Sequence, residues 1–125
     1  MSFYLFLAAA AVCLASVYIH GVWGRRLYGG FIKKADLPVR EASISMVSWD
    51  VFTVMLAVSG LTLICVALND DLAVMAYPIM LMQLGGAGVF LLLAARGHEE
   101  LMRLPGCYLM GATGLLILLA LYLPV

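Results

Sequence analysis

Residues 43–68 read SISMVSWDVFTVMLAVSGLTLICVAL, are followed by Asn69-Asp70-Asp71, and give way at once to LAVMAYPIMLMQLGGAGVFLLLAA over residues 72–95. Both runs reach the length of about 20 apolar residues that a helix rising about 1.5 Å per residue needs to cross a hydrocarbon layer of about 30 Å. So short a polar link turns the second run straight back, which predicts two adjacent, antiparallel membrane helices. Outside this pair, apolar stretches of similar length run from about Ser2 to Gly24 and from Leu101 to Leu123. The expectation is an all-α integral membrane protein: a single transmembrane domain over residues 1–125, built as an up-down four-helix bundle. Its spans fall near 2–24, 43–68, 72–95 and 101–123.

Composition agrees. The chain has 125 residues, of which 66% are hydrophobic and 11% charged, and its mean hydropathy is +1.11. Too few polar side chains are present to wet the surface of an ordinary soluble domain. The first apolar run has no basic residues ahead of it and is longer than the apolar part of a secretory signal, so it reads as a retained span. Val12 before Cys13 does not suit lipoprotein processing, which wants a small residue there.

The net charge of zero hides a strong segregation. Loop 25–42 holds Arg25, Arg26, Lys33, Lys34 and Arg40 against Asp36 and Glu41, the link at 69–71 has no base, and the third link brings Arg96 with Arg103 close by. Basic loops stay in the cytoplasm. Loops 25–42 and 96–100 are therefore expected inside and both termini outside (N-out/C-out), in an inner membrane of bacterial type. Tyr28 to Lys34, ahead of Leu37-Pro38, reads as part of a solvated loop whose lysines fix the topology; a segment lying along the membrane surface is the alternative.

Two ionisable residues, His20 and Asp50, fall inside the spans, where charge is costly without a partner or a purpose. Counting from Arg25 and Glu41 at about 1.5 Å per residue sets them roughly 7 and 13 Å in from the same side. The expectation is a hydrogen bond between them across the first two spans. Ser16 and Cys13 share the histidine's face, while Thr53, Ala57 and Gly60 continue a small, polar stripe from Asp50. Gln83 lies near Gly85, Gly86 and Gly88 in the third span, and Gly111 and Gly114 mark the fourth; such small residues favour helix contact in lipid. His20, Asp50, Ser16, Thr53 and Gln83 form the candidate intramembrane polar site. It would act either as packing glue that fixes register or as a site for a proton or ligand. Gln83 and Pro78 read as packing residues, with a cavity wall or a kink as the alternative. Trp23, Trp49, Tyr28 and Tyr122 near the boundaries read as interfacial anchors.

Other chemistry is scarce. Cys13, Cys65 and Cys107 stand alone in separate runs and read as packing residues, and His98 beside Glu99 and Glu100 reads as a loop residue. No cofactor, metal or nucleic acid is expected. A haem held by two histidines needs both inside the helices, and only His20 is there. Zinc-protease, phosphate-loop and serine-hydrolase motifs are absent from the sequence. Small four-span drug exporters are similar in size but rely on an acid in the first span, whereas the embedded acid here is Asp50 in the second.

Ile19-His20-Gly21, the arginine-rich loop, Leu37-Pro38 and Ser48-Trp49-Asp50 together resemble a group of small four-span bacterial membrane proteins of uncharacterised function. That group places a histidine near the inner end of span one and a Trp-His pair in span two; here Asp50 stands where the second histidine would fall. The resemblance covers roughly residues 17–53. It implies that positions 20 and 50 face each other, and it implies no reaction.

The functional expectation is an accessory or interaction subunit without catalysis, partnered by the lipid bilayer and by a larger membrane protein or further copies of itself. One alternative is a small proton-linked transporter or ligand-binding protein using Asp50 and His20. Another is a subunit of a quinone- or lipid-linked membrane enzyme.

Overall fold

The computed structural model describes residues 2–123. Among them there is no strand, and the chain folds as four helical rods. The first rod is continuous over Ser2–Lys34 and is made of α1 (Ser2–Tyr18), a π-helical segment (Ile19–Gly24) and α2 (Arg25–Lys34). The second is α3 (Val39–Leu68). The third begins with a 3₁₀ segment (Asp70–Met75) and continues as α4 (Ala76–Ala95). The last is α5 (Gly106–Tyr122), preceded by a 3₁₀ turn over Glu99–Arg103. By length and composition Ser2–Lys34, Val39–Leu68 and Asp70–Ala95 could each cross a membrane, whereas Gly106–Tyr122 is apolar but shorter.

Local chemistry explains where the rods stop. Asp36 takes up a left-handed conformation (φ 48°) after α2, and Leu37-Pro38 then prevents the helix from continuing. α3 ends at Asn69, whose side-chain oxygen accepts the Asp71 N–H at 3.1 Å and so starts the next turn. At the end of α4, Gly97 (φ 102°) allows its own N–H to reach Ala94 O at 3.2 Å and His98 N–H to reach Leu93 O at 3.0 Å, which satisfies two terminal carbonyls. Pro78 lies in the first turn of α4, directly after the 3₁₀ segment, a position that tolerates its missing N–H.

Several expectations are corrected at this level. The segment expected as loop 25–42 is helical except for residues 35–38, because nothing between Arg25 and Lys34 breaks the first helix and Val39 already begins the next. The expected fourth span starts late: Leu101–Arg103 belong to a 3₁₀ turn and α5 begins only after Pro105. Most consequential, α3 and α4 do not lie against one another along their length despite the short link. α1 is the central helix, packed against α3 on one side and α5 on the other, and α4 packs on α5. A tight link fixes where two helices begin, but their side chains fix whether they stay together.

One end of the assembly is closed by Phe6, Ala9 and Ala10 of α1 with Leu63 and Val66 of α3, Ile79 and Met80 of α4, and Ile117 of α5. Toward the other end the first rod and α3 stay together while the α4–α5 pair parts from them, itself joined by a small cluster of Ala87, Cys107 and Met110. That difference in packing creates the space described next.

Candidate functional site

The spread end forms a half-open cavity of about 630 Å³ between the first rod, α3, α4 and the start of α5. Its wall is overwhelmingly apolar and rich in rings: Trp23, Tyr28, Phe31, Trp49, Phe52 and Phe90 all line it. His20 and Ser16 also border it. The hydroxyl of Ser16 already donates to Val12 O at 2.8 Å within its own helix. His20 is consequently the one cavity residue that brings a ring nitrogen able to accept a hydrogen bond.

The π-helical segment presents this histidine. Six residues, Ile19–Gly24, widen the turn without ending the helix; such segments are uncommon and often fall at functional positions. Two glycines within it let α3 come close. A methyl group added at Gly21 would lie 2.6 Å from Thr53 Cγ2, and one at Gly24 would lie 3.1 Å from the Trp49 ring. Across this contact His20 Nδ1 lies 2.8 Å from Thr53 Oγ1, and the Trp49 indole N–H donates to the carbonyl of His20 at 3.0 Å.

Trp49 is the hub of a stack. The His20 ring lies parallel to it at a centroid distance of 4.1 Å and an interplanar angle of 9°, and the Tyr28 ring at 4.3 Å and 14°. Phe52 meets His20 edge-on at 5.1 Å. Each such pair contributes about 0.5–1.5 kcal/mol beyond the area it covers. The imidazole is thus held by a stack, an edge contact and a hydrogen bond, with little freedom to turn.

The expected hydrogen bond between His20 and Asp50 is not formed. Asp50 instead receives Arg25 Nε at 2.7 Å on Oδ1 and Arg25 Nη2 at 3.1 Å on Oδ2, a two-pronged ion pair with both side chains nearly half exposed. The physical reason is helix geometry. Residues three apart on a helix differ by about 60° around the axis and by about one turn along it, so Thr53 faces the histidine while Asp50 is carried outward to the start of α2. A planar guanidinium also matches a carboxylate better than one imidazole nitrogen does.

The remaining candidates divide. Thr53 joins His20, and Ser16 borders the same cavity. Gln83, 1% exposed, sits deeper, where its Nε2 lies 3.7 Å from Cys13 Sγ, and that thiol donates to Leu56 O at 3.3 Å. This polar layer links α4, α1 and α3 beneath the cavity. Of the cysteines, Cys13 and Cys107 are buried as packing residues, but Cys65 is exposed. Trp49 is not simply an interfacial anchor, and Arg25 is part of the site although it reads as loop in the sequence. The spacing of Trp49 one residue before Asp50 and Arg25 five after His20 was the available signal for both. No group of three or more histidine, cysteine or acidic side chains able to hold a metal ion is found among the described residues.

An expected outcome distinguishes the two possible partners of the histidine. Thr53→Val should move the ¹⁵N resonance of His20 Nδ1 by several ppm in detergent-solubilised protein, whereas Asp50→Asn should leave that nitrogen nearly unmoved. The reverse pattern would restore the His20–Asp50 pair and remove the Thr53 contact.

Comparison of the chain with known protein families, curated proteins and solved structures gives no match.

Proposed function

We propose that this chain is an integral membrane protein, in up-down order with both termini outside, that binds a lipophilic molecule in the cavity beside His20. The observation that carries the proposal is the cavity itself: its volume of about 630 Å³ lies within the range of about 300–1,000 Å³ usual for small-molecule sites, and its predominantly apolar wall with a few polar groups, His20 among them, is the usual make-up of one.

The membrane setting is supported by what the outer faces expose. Val51, Val54, Val58 and Leu61 of α3 and Leu81, Val89 and Leu91 of α4 are all exposed, apolar faces unsuited to water and suited to lipid tails. All five bases of residues 25–40 gather at the cavity end, and Asp70 and Asp71 lie at the opposite turn, which supports an inward-facing cavity by the positive-inside rule. The first rod of 33 residues, about 50 Å at helical rise, exceeds a hydrocarbon layer of about 30 Å. Its excess supports a second role, as the docking element of an accessory subunit. Proton-linked transport through Asp50 is less well supported, since that carboxylate is engaged by Arg25 and half exposed.

Both tryptophans of the chain border the cavity, which supplies a direct readout. In protein reconstituted into phosphatidylcholine nanodiscs, a brominated long-chain alcohol should quench their fluorescence saturably at a few probe molecules per protein. The double variant Val89→Phe/Leu109→Phe, which fills the space, should weaken the apparent affinity at least tenfold. Quenching that rises only in proportion to probe dissolved in lipid, in both proteins alike, would remove the binding function. Orientation has a separate check: a reporter fused after Val125 should be active only in its exported form.

A further inference from the structure

Resting on the binding reading above, we infer that the cavity selects a lipophilic molecule whose head is a flat ring bearing a hydroxyl group, of the hydroquinone or phenol type, and that the hydroxyl donates its hydrogen bond to Nε2 of His20.

The inference starts from one proton. The Thr53 hydroxyl has a single hydrogen, and Thr53 Oγ1 lies 3.3 Å from Trp49 O, the carbonyl one turn earlier, as well as 2.8 Å from His20 Nδ1. Serine and threonine inside helices commonly give their proton to that i−4 carbonyl. Ser16, Ser43, Ser48 and Thr113 of this protein each do so at 2.7–2.9 Å. Placing the Thr53 proton on Trp49 O leaves its oxygen as acceptor for the Nδ1–H of His20, which is the tautomer we assign and the ¹⁵N spectra below test. A neutral imidazole that carries its hydrogen on Nδ1 has its lone pair on Nε2.

Nε2 has no hydrogen-bond partner among the described residues, yet no buried side-chain nitrogen or oxygen there lacks one. Nε2 is therefore an accessible atom, on a residue that lines the cavity. An acceptor in apolar surroundings favours a ligand that supplies a donor, because a ligand with acceptors alone would leave two lone pairs facing one another and lose its hydration without return. Lipid acyl chains offer no donor. The ring-rich wall adds the second criterion, since parallel and edge-on contacts favour a flat head over a branched aliphatic one. No electron or proton transfer is part of the inference; it concerns recognition.

A matched pair of probes isolates the hydrogen bond: a decyl-substituted hydroquinone and its dimethyl ether, which keeps the ring and tail and lacks both O–H groups. Binding is read by tryptophan fluorescence in the same nanodiscs, under argon to keep the hydroquinone reduced. The hydroquinone should bind at least tenfold more tightly than the ether. His20→Phe, which retains a ring to stack on Trp49, should bring the hydroquinone to the affinity of the ether and leave the ether unchanged; an unaltered helical circular dichroism spectrum checks its fold. In the wild type, ¹⁵N spectra should show Nε2 as the unprotonated nitrogen and shift it on addition of the hydroquinone and not of the ether. Equal saturable binding of both probes, or Nε2 found protonated, overturns this inference while leaving a lipophile-binding cavity intact. Failure of both probes and of the brominated alcohol to saturate overturns the binding function as well.

Discussion

Replacing Trp49 with alanine is expected to lower the stability of the protein by about 3 kcal/mol, at the lower end of the range for aromatic-to-alanine changes in packed sites because this side chain is only partly buried. The loss has three sources on one ring. Stacking with His20 at 4.1 Å and with Tyr28 at 4.3 Å disappears, each contact contributing about 0.5–1.5 kcal/mol. The hydrogen bond from the indole to His20 O is lost as well, at about 1 kcal/mol. The space left behind adjoins the existing cavity and is not refilled by neighbours held in helices. Thermal unfolding in mild detergent, followed by circular dichroism, checks the value. Trp49→Phe should keep a stacking surface and recover roughly half of the loss. A Trp49→Ala protein that unfolds at the wild-type temperature would show that the stack does not hold the first rod against α3.

Gly114→Leu is expected to be of similar size, about 3 kcal/mol, by the opposite mechanism of overpacking. α5 meets α4 at this glycine so closely that a Cβ there would lie 2.6 Å from both Cγ and Cδ2 of Leu84 and 3.2 Å from its backbone nitrogen. A rotamer change by Leu84 could clear its own side chain but not the backbone, so the helices must separate. On the membrane reading proposed above, the added methyl groups gain nothing in compensation, because lipid tails are as apolar as the protein interior. Gly85→Ala and Gly88→Ala are the controls. A Cβ at either position meets nothing within 4 Å, and removing an exposed helical glycine should raise stability by up to about 1 kcal/mol. The same unfolding measurement reads all three; a Gly114→Leu protein as stable as the two controls would place the α4–α5 contact elsewhere.

These glycines show how far hydropathy and residue size reach. Gly85, Gly86 and Gly88 look alike in the sequence and were all expected on an inward face. Only Gly86 is at a close contact, against Met110, while the other two face open space. Successive helical residues are about 100° apart around the axis, so three small residues within four positions cannot share one face. The candidate polar site was legible to a similar depth. That His20 and Thr53 belong to facing stripes could be read from their spacing, and the structure does bring them to 2.8 Å. That Asp50 turns away could not, because its partner Arg25 was assigned to a loop. Once α2 continues α1 without a break, Arg25 becomes a fixed point on a rigid rod and the nearest cation to the acid.

The α3–α4 pair carries the same lesson on a larger scale. A three-residue link suggested neighbours, yet α1 is interposed between α3 and α5, and α4 follows α5. The opening so produced borders the apolar space beside His20, which no local pattern announces because its wall is drawn from all four rods.

The sequence by itself determined that the chain is helical, where its apolar runs lie, and at which end its bases collect, although the first rod continues ten residues past the apolar run to Lys34. Backbone groups in a helix are satisfied within the helix, so length, hydropathy and breakers such as Pro38 and Gly97 suffice for that much. Only the tertiary structure decided which rods lie together and which partner each polar side chain takes. Among helices that are apolar on nearly every face, contact is chosen by the fit of small residues against large ones, and a fit between surfaces is a property of two helices that neither one's sequence states alone.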